Sequence, residues 1–116
     1  MPFKAAGKEL MLDALAALIT HVALYTDDAA TTEVAGGTPA YARKAITWGS
    51  AATDSVAASN APAFDVPGST TVKAVGFMSA VSGGTQYAFH NLTDEAFAGQ
   101  GTYTLTAATL TLNDPA

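Results

Sequence analysis

The residues best suited to chemistry are few and scattered. His21 and His90 are the only imidazoles in the 116-residue chain, and they fall in different elements. Zinc hydrolysis needs about three protein ligands at spacings such as His-Glu-x-x-His, and no such run occurs. The absence of cysteine removes disulfides, thiolate metal sites and cysteine nucleophiles together, and leaves the redox compartment open. Asp27-Asp28 and Asp94-Glu95 are adjacent carboxylates without the alternating spacing of a calcium loop, so they read as solvated loop charge. No Gly-x-Ser-x-Gly elbow and no phosphate-cradling glycine loop followed by Lys-Ser/Thr is present. No catalytic, metal-binding or cofactor-binding residue is expected, and an enzyme is the class least supported.

Contact chemistry offers more. Arg43 sits mid-strand in an arginine-poor chain and prefers a carboxylate partner, and Glu33 lies in the loop feeding that strand. Such a pair would pin the loop or reach a neighbouring subunit. Tyr41 belongs to the same segment and, with Trp48, Tyr87 and Tyr103, could form a sugar-stacking platform; core and sheet-face anchoring is the favoured use. Leu12 falls on the polar side of a predicted helix, either as a scattered surface leucine or as a subunit contact.

Hydrophobic residues make up 49% of the chain and charged residues 13%, where about a quarter is typical of soluble domains. Much of the surface must be Ala, Thr, Ser and Gly, which costs little to desolvate and suits a subunit of a large assembly as well as an ordinary small domain. The formal net charge is −5, and the five basic residues, Lys4, Lys8, Arg43, Lys44 and Lys73, form no cluster. Direct nucleic-acid binding is therefore not expected. Leu10 to Ile19 is apolar but interrupted by Asp13 and far short of the roughly 20 residues of a membrane span, so neither a membrane nor a targeting segment is expected.

The elements that position these residues follow from periodicity. Ala5 to Ile19 predicts an amphipathic helix with Leu10, Met11, Ala14, Ala17 and Leu18 facing the core. His21 to Thr26 predicts a strand, Asp27 to Pro39 a long loop, and Tyr41 to Trp48 a strand with Ile46 and Trp48 inward. Gly49 to Asn60 is low in complexity, an edge strand or a loop, and Ala63 to Val66 is a short strand with Phe64 and Val66 inward. The best hairpin signal is Val72 to Phe89, two apolar runs flanking Gly83-Gly84. Its first run is apolar on both faces, as a central strand requires, and Gly76 inside it predicts a bulge or a close approach by a large neighbour. His90 to Gly101 reads as a second loop. Thr102 to Leu112 alternates until its phase slips at Ala107-Ala108, which predicts a bulge or a strand that changes sheets at a bend. The expected fold is mainly β: one domain over 1–116, an antiparallel β-sandwich of about seven strands at 21–112, with one N-terminal helix at 5–19.

The stretch Thr32 to Gly49, which reads Thr-Glu-Val-Ala-Gly-Gly-Thr-Pro-Ala-Tyr-Ala-Arg-Lys-Ala-Ile-Thr-Trp-Gly, resembles a family of small structural proteins of actinobacterial tailed phages. The resemblance extends to Met11-Leu12-Asp13-Ala14-Leu15, to Leu24-Tyr25-Thr26, to Val75-Gly76-Phe77-Met78-Ser79-Ala80 and to Gly99-Gln100-Gly101-Thr102-Tyr103. Family members often carry His where Tyr25 stands and Gly-Asp-Pro-Gly where this chain has Asp27-Asp28-Ala29-Ala30. The resemblance implies a non-enzymatic virion protein assembled in the host cytoplasm. Its first expected role is a capsid decoration or minor capsid subunit on the outer head surface, working as a homo-oligomer against the major capsid protein. The alternative is a minor tail or tail-fibre protein that contacts other tail proteins and the host surface, including cell-wall carbohydrate.

Overall fold

The computed structural model describes residues 4–52, 55–106 and 108–111. Among these residues one helix, α1 (Ala5–Leu18), precedes eight strands: β1 (His21–Tyr25), β2 (Lys44–Ala45), β3 (Ser55–Ala57), β4 (Ala63–Val66), β5 (Thr70–Met78), β6 (Gln86–Phe97), β7 (Gly101–Thr104) and β8 (Thr109–Thr111). All pairings are antiparallel, in a four-stranded sheet of order β2-β1-β5-β6 and two ribbons, β3-β8 and β4-β7. The mainly β, antiparallel expectation holds, with eight strands where about seven were counted.

β5 is central and buried on both faces, as its doubly apolar pattern requires. Its inner face (Val72, Val75, Phe77) joins Val22 and Leu24 of β1. Against them pack Val56, Phe64, Val66 and Leu110 of the ribbons and Leu12 and Ala16 of α1, forming one apolar core. Phe64 and Val66 are fully buried, so the short 63–66 alternation was read in the correct phase. The chain leaves β7, beside β4, to form β8 beside β3, which is the change of sheet that the slipped alternation predicts; Ala107 itself lies outside the described residues, as does the tail from 112.

The opposite face is built from small residues and roofed by a loop. Ala23, Tyr25, Ala74 and Met78 pack there with Ala30 of the 27–43 loop. Gly76 makes room for this roof. A Cβ at Gly76 would lie 2.6 Å from a Tyr25 ring carbon and 2.8 Å from the Gln86 amide nitrogen, so the predicted close neighbour is the Tyr25 ring. Gly83 and Gly84 take φ of 63° and 74° in the β5–β6 turn, a conformation glycine adopts without steric cost.

Three expectations fail. α1 buries Leu12, Ala16 and, at its C-cap, Ile19, while Leu10 is 73% exposed, Leu18 53% and Met11 38%. The predicted inner face therefore points outward, and Leu12, expected on the surface or at a subunit contact, is a core residue. Both sides of this helix are apolar, so periodicity alone does not choose between them. The 41–48 segment shortens to two paired residues plus a Trp48–Ala58 bridge, although Ile46 is buried and Trp48 packs on the core as expected. The predicted loop at 90–101 is mostly strand, because β6 runs on to Phe97. Val72 pairs with Glu95 and Ala74 with Asn91, so two steps on β5 match four on β6, and this irregularity scrambles the alternation that would have marked a strand.

Candidate functional site

The predicted contact residues Glu33, Tyr41 and Arg43 converge at one end of the sheet. β2 pairs with β1 only at His21 and Val22, so beyond them the edge of β1 is completed by the loop. Glu33 bridges to Tyr25, Val34 N–H donates to Leu24 O, and the Tyr41 hydroxyl accepts the Leu24 N–H at 2.9 Å. Tyr41 in turn donates to Glu33 Oε2 at 2.8 Å and stacks on Phe64.

Arg43 meets Glu33 with two parallel bonds of 2.9 Å, Nε to Oε2 and Nη2 to Oε1. Its Nη1 donates to the carbonyls of Ala80 and Gly83 at 3.0 and 2.8 Å. One guanidinium thus ties the long loop to the tip of the β5–β6 hairpin. Burial pushes the Glu33 carboxyl up, but the hydrogen bonds from Arg43 and Tyr41 and the Arg43 charge together hold it below the usual range. Burial, with the nearby Glu33 charge, pushes the Tyr41 phenol well above its ordinary value. A shallow hollow of about 360 Å³ opens beside this cluster, with Val81 and Ser82 on its rim. Four of the five Arg43 N–H groups are already engaged within the chain, so the cluster is built as a tie.

Further anchors hold the same loop. Asp27 accepts from the Thr31 and Thr32 amides at 2.9 Å and from the Thr31 hydroxyl, bonds that lower its pKa. Gln86 Nε2 donates to Ala30 O at 3.1 Å, and Asn91 Nδ2 donates to Asp28 O. Gln100 accepts from Thr38 N–H and donates to Pro39 O, both at 3.1 Å. Sequence reasoning missed Gln86, Asn91 and Gln100, because a side-chain amide that bonds a backbone some 60 residues away leaves no local pattern.

The other candidate residues disperse. Trp48 leans on Phe77 and donates to Ile19 O, Tyr103 is half-buried, and only Tyr87 of the four candidate aromatics is substantially exposed. No stacking platform assembles from them. Among the described residues no group of three His, Asp or Glu could hold a metal ion, and no helix is long and apolar enough to cross a membrane.

Among the described residues, the large apolar side chains left exposed are Leu10, Met11 and Leu18 on α1, Val81 at the hairpin tip, and Tyr87 and Phe89 on the edge strand β6. A cleft of about 250 Å³ between α1, β6 and β8 is lined by Leu12, Leu15, Phe77, Ala88, Phe89 and Leu110, with others.

A family model described as podophage GP4 fiber I protein gp80 matches residues 13–113. The chain belongs to that family. The gp80 fibre family is one of phage structural proteins, and its match takes in every strand and the whole loop cluster around Arg43. No curated protein and no solved structure matches the chain.

Proposed function

We propose that the chain is a non-enzymatic structural subunit of a phage tail fibre, which builds or attaches the fibre through contacts with further copies of itself and with other tail proteins. The observation that carries this reading is the fibre family match over residues 13–113. The exposed apolar residues of α1, the hairpin tip and β6 support it, since they supply contact surface on three separate elements. The family favours the fibre over head decoration, which rests on composition and on the first resemblance alone.

Immunogold labelling of intact virions, with copy number measured by quantitative mass spectrometry against the major capsid protein, tests the proposal. Labelling on the tail at a handful to a few dozen copies is expected. Hundreds of copies with label over the head would overturn it in favour of decoration.

A further inference from the structure

Among the described residues β8 stops at Thr111, on the rim of the cleft between α1 and β6. Two hollows of about 250 Å³ each follow one another along this part of the chain. The first meets Leu105, Ala108 and Thr109; the second, the cleft, meets Thr109, Leu110 and Thr111 and adds Leu12 and Leu15 of α1. The chain therefore tracks toward α1 as it advances. The floor of the cleft is the core itself, since Leu12, Phe77 and Leu110 are buried and Leu15 and Ala88 pack partly buried against them. Residues 109 to 111 run exposed, buried, exposed, so the next position in the buried phase is 112. That residue is a leucine, about 6.8 Å beyond Leu110 along an extended chain. Within 112–116, which read Leu-Asn-Asp-Pro-Ala, it is the one large apolar side chain, and the family match runs to residue 113 and so takes it in.

We propose that Leu112 of the same chain seats in this cleft, so that the segment following β8 closes the core between α1 and β6. Phase, position and tether select this occupant over others. The alternation sends residue 112 to the side on which Leu110 is buried, and the lining shows that this side opens beside Leu12 and Leu15. A side chain joined to the rim through Thr111 also needs no diffusional encounter. Short tethers give effective concentrations of roughly millimolar order, which a free partner or the tail of a second copy must exceed. A small apolar opening is well matched to one branched aliphatic group, whose burial there removes apolar surface from water on both sides of the contact. The seal withdraws the cleft from intermolecular contact and leaves the outer residues of α1 and the hairpin tip available for it. The inference stands independently of the fibre reading, because it concerns contacts within one chain.

Methyl NMR on the purified, unsubstituted chain tests the proposal. With leucine, valine and alanine methyls labelled, nuclear Overhauser contacts are expected from Leu112 to Leu15 and Ala88. In an equimolar mixture of chains labelled at leucine only and chains labelled at alanine only, the contact between Leu112 and Ala88 is expected to vanish, because both groups must belong to one molecule. Its persistence in the mixture would overturn seating of the chain's own segment in favour of the tail of a second copy. Leu112 methyls at random-coil shifts, without contact to the cleft, would overturn the proposal outright and leave the cleft to another partner. A substitution gives the second arm: Leu112→Asp is expected to move the Leu15 and Ala88 methyl signals while those of Val81, at the hairpin tip, stay in place. Unmoved Leu15 and Ala88 signals would equally overturn it. The measurement on the unsubstituted chain keeps the test decisive should the variant lose its fold.

Discussion

The two faces of the four-stranded sheet are held by different physics. On the inner face, Val22, Leu24, Val72, Val75 and Phe77 meet α1 and two ribbons, and the joint is made by burial of large aliphatic and aromatic groups. On the outer face, Ala23, Ala74 and Gly76 leave a shallow floor, and a loop lies on it through directed hydrogen bonds from Arg43, Gln86 and Asn91. The first joint is non-directional, and its fully buried members carry no ionisable group. The second depends on geometry and on the ionisation of a few carboxylates.

The sharpest test of the inner joint is Phe64→Ala. Emptying a fully buried aromatic position should cost about 3–5 kcal/mol, read as a lower urea midpoint, and a loss under 1 kcal/mol would show that the ribbons contribute little. On the outer face, Gly76→Val pushes a branched side chain into the Tyr25 ring and should cost about 1–3 kcal/mol. Adding Tyr25→Ala should recover part of that loss; strict additivity of the two changes would mean the ring is not the obstacle.

Removing the tie should separate the faces. Arg43→Ala ought to destabilise by about 1.5–3 kcal/mol and open the 27–43 loop to protease before the rest of the chain, and Arg43→Lys should not restore protection because it lacks the bidentate fork. Simultaneous cleavage throughout the chain would show that loop and core are one cooperative unit.

The smallest expected effect is a pH dependence confined to the loop. Glu33 and Asp27 have folded-state pKa values below their ordinary 4.5 and 3.8. Their contribution is therefore complete above those values and is lost as pH falls through the lower folded ones. Tyr41 acts oppositely: its raised pKa leaves its contribution intact below 10.0, with loss as pH climbs beyond. Protection factors of the 27–43 amides, corrected for the intrinsic pH dependence of exchange, should fall at both extremes while those of β5 hold. An equal fall in both would dissolve the distinction.

The inner face of the sheet was largely legible in the sequence, and the outer one only in part. Phe64, Val66, Ile46 and the doubly apolar β5 declare themselves by alternation, a local property. Gly83-Gly84 marks its turn by the conformation it permits. The Arg43–Glu33 pairing was readable because an isolated arginine lies close in sequence to a carboxylate on the adjoining loop. The amides of Gln86, Asn91 and Gln100 act across the fold, where no spacing rule reaches. α1 misled for another reason: with Leu10, Met11 and Leu18 on one side and Leu12, Leu15 and Ile19 on the other, the inner face is chosen by what the ribbons offer. β6 hid because its register shifts spoil the period that identifies strands.

The order in which the loop and its anchors leave the ribosome constrains how the chain matures. Ala80, Gly83, Gln86 and Asn91 all follow the loop they fasten, and 48 residues separate Arg43 from Asn91 (91 − 43). At synthesis rates of about 5–20 residues per second, that gap is roughly 2 to 10 s. Until β5 (Thr70–Met78) emerges within that gap, β1 lacks its central partner, and the anchors on Gln86 and Asn91 follow later still. The sheet therefore cannot be fully paired, nor the loop fully fastened, before Asn91 has been made.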